Sequence, residues 1–277
     1  MLQDLIDDGG TDYLVLPVRF SDGQINGLAF TTRAPGGFSD DQIDVLSRAA
    51  KFLAAPFEIM QMRDLATTLL ETYVGRHAGE RVLDGAITRG SGESIEAAIW
   101  YCDLRDFTPL SEQLEMGTLI DLLNAYFEAV GGAIEKNGGE ILKFVGDAIL
   151  AIWPLEKPTD ASTAAASALA AWREARDAMK AANDQRRAKG LPTLDFGTTL
   201  HIGDVIYGNI GASDRLDFTV IGPAVNLVSR MEDLTKKLGQ PVLLSKPFAD
   251  VCGEPTQALG DFEFKGIEKA QPVYGLA

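Results

Sequence analysis

Two aspartates stand where apolar runs meet turns. Asp103 follows EAAIWYC, and Asp147 lies in the turn of GGEILKFVGDAILAIW, residues 138–153. Lys143 sits in the first apolar run of that second stretch. Neighbouring carboxylates repel and raise each other's pKa, and they persist cheaply when a divalent cation lies between them. Carboxylate pairs together with substrate phosphates are how Mg²⁺ is usually held. After Asp103 the chain reads LRDFTPLSEQ, a turn leading to a helix start. Backbone N–H groups there, around Phe107 and Thr108, can cradle phosphate oxygens. A metal pair beside an amide cradle points to nucleotide triphosphate chemistry. Taken singly, each aspartate also reads as a turn or cap residue, so the chemistry rests on the two lying together.

Their meeting depends on the elements around them. Apolar periodicity predicts a strand over Glu96–Cys102, a helix over Gly117–Lys136, and strands over Glu140–Val145 and Ala148–Trp153. An Ala-rich helix over Asp160–Lys189 follows, ending in QRRAKG, with cations and a glycine at its stop. Next come a strand over Leu194–Ile202, a hairpin arm over Val205–Ile210, a strand over Asp217–Ile221, a helix over Ala224–Leu238 and short closing strands. The class is α+β, with a ferredoxin-like βαββαβ core carrying extra strands and helices. In that order the third strand lies between the first and second, antiparallel to both. The end of the first strand then meets the start of the third, which brings Asp103 beside Asp147.

Upstream, Tyr13–Arg33 reads as strand, turn and strand. Ser39 and Gln42 form an S-x-x-Q capping box, and Ile43, Leu46, Ala50, Leu53, Phe57 and Met60 follow at helical spacing. Pro56 is expected to kink that helix, and Leu65 and Leu69 restart the stripe after a break at Asp64. A helical connector, paired with its copy in a second chain or packed on its own domain, fits this pattern. Residues 71–94 read as a linker with a short helix. The expected domains are 1–55, a small α/β N-terminal segment; 56–94, a helical linker; and 95–277, the unit that carries Asp103 and Asp147.

The formal charge of −15 over 277 residues repels nucleic acid, and no nucleic-acid partner is expected. The two histidines, His77 and His201, have no partner at zinc-ligand spacing. Cys102 and Cys252 sit in apolar surroundings and read as buried free thiols of a reducing compartment. No membrane span and no secretory signal are expected, and the expected location is the cytoplasm.

Three blocks together resemble the catalytic domains of class III nucleotide cyclases: YCDLRDFT at 101–108, KFVGDA at 143–148 and IGPAVNLVSRM at 221–231. They occur in family order over residues 95 to the C-terminus. The resemblance implies that Asp103 and Asp147 bind two Mg²⁺ or Mn²⁺ ions per site. Lys143 matches the purine-contacting lysine of adenylate cyclases. Thr219 matches a second base-reading position, where threonine resembles a bacterial subgroup. Asn226 matches a ribose-orienting asparagine, Arg230 a transition-state arginine and Lys265 a phosphate-contacting lysine. Phe107 and Thr108 join the substrate-binding set. The residues before about position 60 resemble the later half of a GAF sensor domain.

The resemblance implies an adenylate cyclase, turning ATP into 3′,5′-cyclic AMP and pyrophosphate at sites shared between two copies of the chain. One departure stands out: Asp106 occupies a position where the family usually has glycine. An ATP-binding regulatory module without turnover is the alternative that Asp106 favours. Guanylate or diguanylate cyclases are further alternatives, although the GGE at 138–140 precedes its strand rather than filling a turn.

Overall fold

Alternation along one long strand decides which residues face which layer. In the computed structural model, which describes residues 2–212 and 214–277, strand β3 is Gly92–Leu104. Ahead of it lie helix α1 (Leu2–Asp7), strands β1 (Asp12–Arg19) and β2 (Ile25–Thr32), and helices α2 (Asp40–Val74) and α3 (Arg76–Leu83). After it come α4 (Phe107–Gln113), α5 (Met116–Lys136), β4 (Glu140–Val145), β5 (Ala148–Leu155) and α6 (Ala161–Ala188). The chain continues with β6 (Phe196–Gly211), β7 (Leu216–Ile221), α7 (Pro223–Lys237), β8 (Val242–Ser245), α8 (Lys246–Ala249), β9 (Thr256–Phe262) and β10 (Gln271–Leu276). Two compact units result, one ending at Leu70 and the other spanning Glu71–Ala277.

In the first unit, β1 and β2 form an antiparallel hairpin. Leu16 and Val18 point from it onto Ala50, Leu46 and Ala54 of α2. The capping box forms reciprocally: Ser39 N–H donates to Gln42 Oε1 at 3.0 Å, and Gln42 N–H donates to Ser39 Oγ at 3.3 Å. α2 runs as one helix with Pro56 inside it.

The second unit is built on a mixed sheet with strand order β4-β5-β3-β6-β8-β10-β9, and β7 pairs with β6. β6 and β8 are parallel; the other pairs are antiparallel. As the βαββαβ order requires, β5 lies between β3 and β4. Ala98, Trp100, Cys102 and Leu104 of β3 face α5 and α6, packing on Leu122, Tyr126 and Ala168. Ala97 and Ile99 face the other way, onto Ala224 and Val228 of α7 and Phe218 and Val220 of β7. Complete burial of side chains as large as Ile99 and Leu122 stabilises the fold by roughly 1.5–3 kcal/mol each. Both cysteines are free and buried.

Three boundaries differ from the sequence reading. The strand expected at 194–202 and the arm at 205–210 are one strand, because Gly203 and Asp204 keep their pairing with Ala97 and Glu96. The stretch 71–94 is mostly regular: α2 reaches Val74, α3 follows, and Gly92–Ser94 belong to β3. The short helix α4, where only a helix start was read, begins directly after Asp106.

Candidate active site

The β3–β5 ladder pairs Cys102 with Ile149. Asp103 therefore leaves the end of β3 as the chain enters β5 from the turn holding Asp147. Gly146 makes that turn with φ of 64°, a conformation that disfavours any residue carrying a Cβ. By the alternation of β3, Asp103 points to the α7 face. The two side chains are neighbours: the Asp147 carboxyl is near enough to raise that of Asp103. Burial, followed by the contact with Asp147 and the charge of Asp233, pushes the Asp103 carboxyl up from 3.8 to about 7. The Leu104 N–H, donating to Asp103 Oδ1 at 2.8 Å, opposes that rise.

α7 adds carboxylates that the sequence reading missed. Glu232 and Asp233 follow Arg230 by two and three positions. Gly197 pairs with Asp103 across the β3–β6 ladder, and a Cβ on Gly197 would collide with Glu232 and Thr235. That glycine lets α7 approach the backbone beside Asp103. Burial, then the charges of Asp103 and Asp233, raises the Glu232 carboxyl, against the bond it accepts from Thr235. The signal available in the sequence was the M-E-D run that overlaps the end of the third block.

Among the described residues no lysine or arginine pairs with Asp103 or Asp147, and no group of three or more His, Cys, Asp and Glu side chains gathers around a single metal position. Two carboxylates in contact without a protein cation suit a hard divalent ion. They leave most of its coordination to water and substrate phosphate oxygens, as Mg²⁺ prefers.

Lys143 and Thr219 line a second place, a cavity of about 460 Å³ that also borders Tyr73, Phe144 and Phe218. A β-bulge makes this possible. The β4–β5 register shifts between Ile141 and Lys143, leaving Leu142 as the extra residue. Ile141 pairs with Ala151, which faces α5 and α6, whereas Lys143 pairs with Leu150, which packs with the α7-side cluster. Cross-strand partners share a face. The bulge thus turns Lys143 toward the side where β7 lies. Thr219 is 4% exposed, and its Oγ1 is buried without a hydrogen-bond partner. A buried hydroxyl left unsatisfied costs about 1–3 kcal/mol, and a ligand atom in the cavity would remove that cost.

Asn226 and Arg230 lie one turn apart on α7, Asn226 exposed and Arg230 half-buried. The Arg230 guanidinium lies against Gly266: a Cβ there would sit 3.5 Å from Nη1. Lys265, exposed, is the neighbouring residue. Neither Lys143 nor Arg230 has an ion-pair partner among the described residues. At the α4 turn the Phe107 side chain packs on the core, and Thr108 is exposed. Asp106 takes a left-handed conformation, φ 58°, and pairs with Lys236 of α7, both side chains being exposed. Its charge is therefore directed to a surface cation. Three local groupings result: Asp103 with Asp147, Lys143 with Thr219, and Arg230 with the Lys265 loop. No hydrogen bond or ion pair among the described residues joins the first to the second.

The model of the adenylate and guanylate cyclase catalytic domain matches residues 91–274. An adenylate cyclase of Anabaena cylindrica is 36% identical over 190 residues, which cover 67% of this chain and 36% of that protein. The crystal structure of the adenylyl cyclase CyaB from P. aeruginosa shares 30% identity at a TM-score of 0.61, over 68% of this chain and 96% of that one. That of the guanylyl cyclase Cya2 shares 30% identity at a TM-score of 0.59, over 67% of this chain and 93% of that one. The chain spans about a third of the length of the curated relatives it matches.

Proposed function

The chain belongs to the adenylate and guanylate cyclase catalytic-domain family, and from that premise we propose that it is an adenylate cyclase acting as a homodimer. The observation that carries this reading is the contact between Asp103 and Asp147 at neighbouring strand tips.

In the proposed reaction the ribose 3′-oxygen of ATP bonds to the α-phosphorus as its hydroxyl proton passes to solvent, the α–β bridging bond breaks, and pyrophosphate leaves with that electron pair. Asp103 and Asp147 would hold Mg²⁺ or Mn²⁺, two ions per site. When bound, such ions neutralise triphosphate charge and acidify the ribose hydroxyl. Asn226 orients the ribose so that its 3′-oxygen stands in line with the bond that breaks; alignment of this kind can supply up to about 7–11 kcal/mol. Arg230 meets the charge that grows on the transferred phosphoryl group. Lys265, with the backbone of Phe107 and Thr108, holds the phosphates. Lys143 donates to N1 of adenine, and the Thr219 hydroxyl takes a second base contact.

A second copy enters this reading because no hydrogen bond or ion pair among the described residues joins the metal-holding pair to the base-reading pair, and because the resembled family builds each site from two catalytic domains. In each site one copy supplies Asp103 and Asp147; the other supplies Lys143, Thr219, Asn226 and Arg230. Val45, Phe52 and Ile59, exposed on α2 at seven-residue spacing, support pairing of that helix with its copy. The first unit is read as part of a sensor segment, continuous in sequence with the catalytic unit through α2 and α3.

The likeness to Cya2, close to that to CyaB, favours a second reading, GTP to cyclic GMP. Lys143 argues against it, because guanine carries a donor at N1 and offers a lysine no acceptor there. Incubating purified protein with ATP or GTP and Mg²⁺ or Mn²⁺, with chromatographic identification of the product, decides between them. Cyclic AMP is expected. Nucleotide binding without any cyclic product would leave a regulatory ATP-binding module.

A further inference from the structure

We propose that Arg81, on α3, is a positioning residue for base recognition: it ties together the two strands, β4 and β7, that carry Lys143 and Thr219. The inference deepens the cyclase reading and rests on it.

The need for such a tie comes from the sheet. Among the described residues, β4 pairs with β5 alone and β7 with β6 alone. In ladder order, β5, β3 and β6 separate them. Yet Lys143 and Thr219 line one cavity. β4 and β7 approach each other directly, but no backbone hydrogen bond joins them, so side chains contribute to setting their separation.

Arg81 stands at the centre of that packing. Its guanidinium lies over the Tyr207 ring, 5.0 Å from the centroid, and over the Phe218 ring at 5.9 Å. Those two rings meet edge to face at 4.8 Å. Glu93 Oε1 holds Nη2 of the same guanidinium at 2.6 Å. The Tyr207 hydroxyl donates a 2.7 Å hydrogen bond to Glu140 Oε1. Glu140 is buried and opens β4 three residues before Lys143, whereas Phe218 directly precedes Thr219. One connected set of contacts therefore runs from β4 through Glu140 and Tyr207 to Phe218 on β7, and Arg81 braces the Tyr207–Phe218 pair by lying over both rings.

The charges agree with this arrangement. A carboxylate as buried as Glu140 is costly without nearby positive charge. Burial raises the Glu140 carboxyl, the hydrogen bond from Tyr207 is the largest effect against it, and the Arg81 guanidinium on α3 lowers it further. Glu93, on β3, is the other acidic group facing Arg81. α3 is itself seated on the catalytic sheet: Ala78 is 1% exposed and packs in one cluster with Leu142 and Phe218. Removing Arg81 should loosen β4 relative to β7 without touching Asp103, Asp147 or Arg230.

The test is steady-state kinetics with ATP and with GTP on the full chain. The set comprises the wild type, Arg81→Ala, Arg81→Lys, Lys143→Ala and the double variant Arg81→Ala/Lys143→Ala, each with a thermal melt. Arg81→Ala is expected to raise KM for ATP about five- to tenfold, to leave kcat within about twofold, and to narrow the preference for ATP over GTP. Arg81→Lys should recover part of the loss, because it keeps a charge for Glu93 but not the planar stack. The double variant should lose less than the sum of the two single losses, since Arg81 acts in part through that lysine.

A lower melting temperature with unchanged KM and unchanged nucleotide preference would overturn the proposal and leave Arg81 a stabilising residue only. If Arg81→Ala does not fold, Tyr207→Phe, which removes only the hydroxyl on Glu140, is read in the same way, and an unchanged KM there overturns the tie. Should the wild type bind ATP without forming product, the cyclase reading fails separately. The same series is then read as ATP affinity in the presence of Mn²⁺, where equal affinities would overturn the positioning role. A wild type that binds neither nucleotide overturns both.

Discussion

Asp147 lies close enough to Asp103 to raise its carboxyl pKa, and Gly197, the ladder partner of Asp103, lets Glu232 and Thr235 of α7 pack directly against the backbone beside it. The carboxyl that would hold a metal is thus pressed between a second aspartate and an acidic helix face. Repulsion of this kind costs stability until a cation enters, so the same feature that stores the cost selects the ligand.

The raised Asp103 gives one contribution to the pH dependence of stability, which its own substitution isolates. The unfolded carboxyl ionises near 3.8 and the folded one at about 7. Between those values the folded state binds more protons, so this group's contribution to stability is fully present at low pH and is lost as pH rises through that window. Thermal melts with chelator, from about pH 4 to about pH 8, should show a steeper decline for the wild type than for Asp103→Asn. Adding Mn²⁺ should raise the wild-type melting temperature more above about pH 7 than below about pH 5, and should barely move the variant. Parallel curves for the two proteins would contradict the account.

Asp106 is the one described non-glycine residue with positive φ, and its carboxylate is paired with Lys236 on the surface. An exposed pair of this kind contributes about 0–1 kcal/mol, and the left-handed conformation costs a similar amount for a residue with a Cβ. Asp106→Gly should therefore change stability by less than about 1 kcal/mol in a denaturant titration. It should also leave ATP turnover equal to or above that of the wild type. A loss of turnover of about tenfold or more would show that the aspartate has a role at the phosphates.

In the proposed reading, base preference rests mainly on Lys143. Lys143→Glu replaces a donor by an acceptor, which suits the N1–H of guanine and leaves adenine N1 unmatched. The ratio of kcat/KM for ATP to that for GTP should fall by at least about tenfold. A ratio that stays put would place base reading elsewhere in the cavity.

Shared sites make a prediction of their own. Asp103→Ala and Arg230→Ala chains should each be inactive alone. Mixed under subunit exchange, they should regain activity, because one of the two sites in a mixed dimer then draws both of its halves from intact positions. No recovery on mixing would count against sites built from two copies.

The strand order was legible because alternating apolar residues, a turn at Gly146–Asp147 and two intervening helical patterns leave few ways to thread a sheet. That was sufficient to bring Asp103 to Asp147. The face on which Lys143 lies was not legible. It depends on the bulge at Leu142, and one extra residue in a ladder changes no composition or periodicity that a short strand can display. β6 was read as two pieces because Gly203 and Asp204 resemble a break, whereas pairing with β3 carries the strand through them. The docking of α3 escaped notice for a related reason. It uses the small residues Ala78 and Gly79 and a charged one, Arg81, so its hydropathy resembles that of a solvated linker. Thr219 offered no signal of its own as a β-branched residue in a strand; what sets it apart is a buried hydroxyl without a partner.

The most direct measurement is cyclic AMP formation from ATP in Mn²⁺ by the wild type, Asp103→Asn and Asp147→Asn, with folding of each confirmed by its melt. The account predicts a product in the wild type and a loss of at least about 10²-fold in kcat for either variant. Turnover within a few-fold of the wild type in either variant would contradict it.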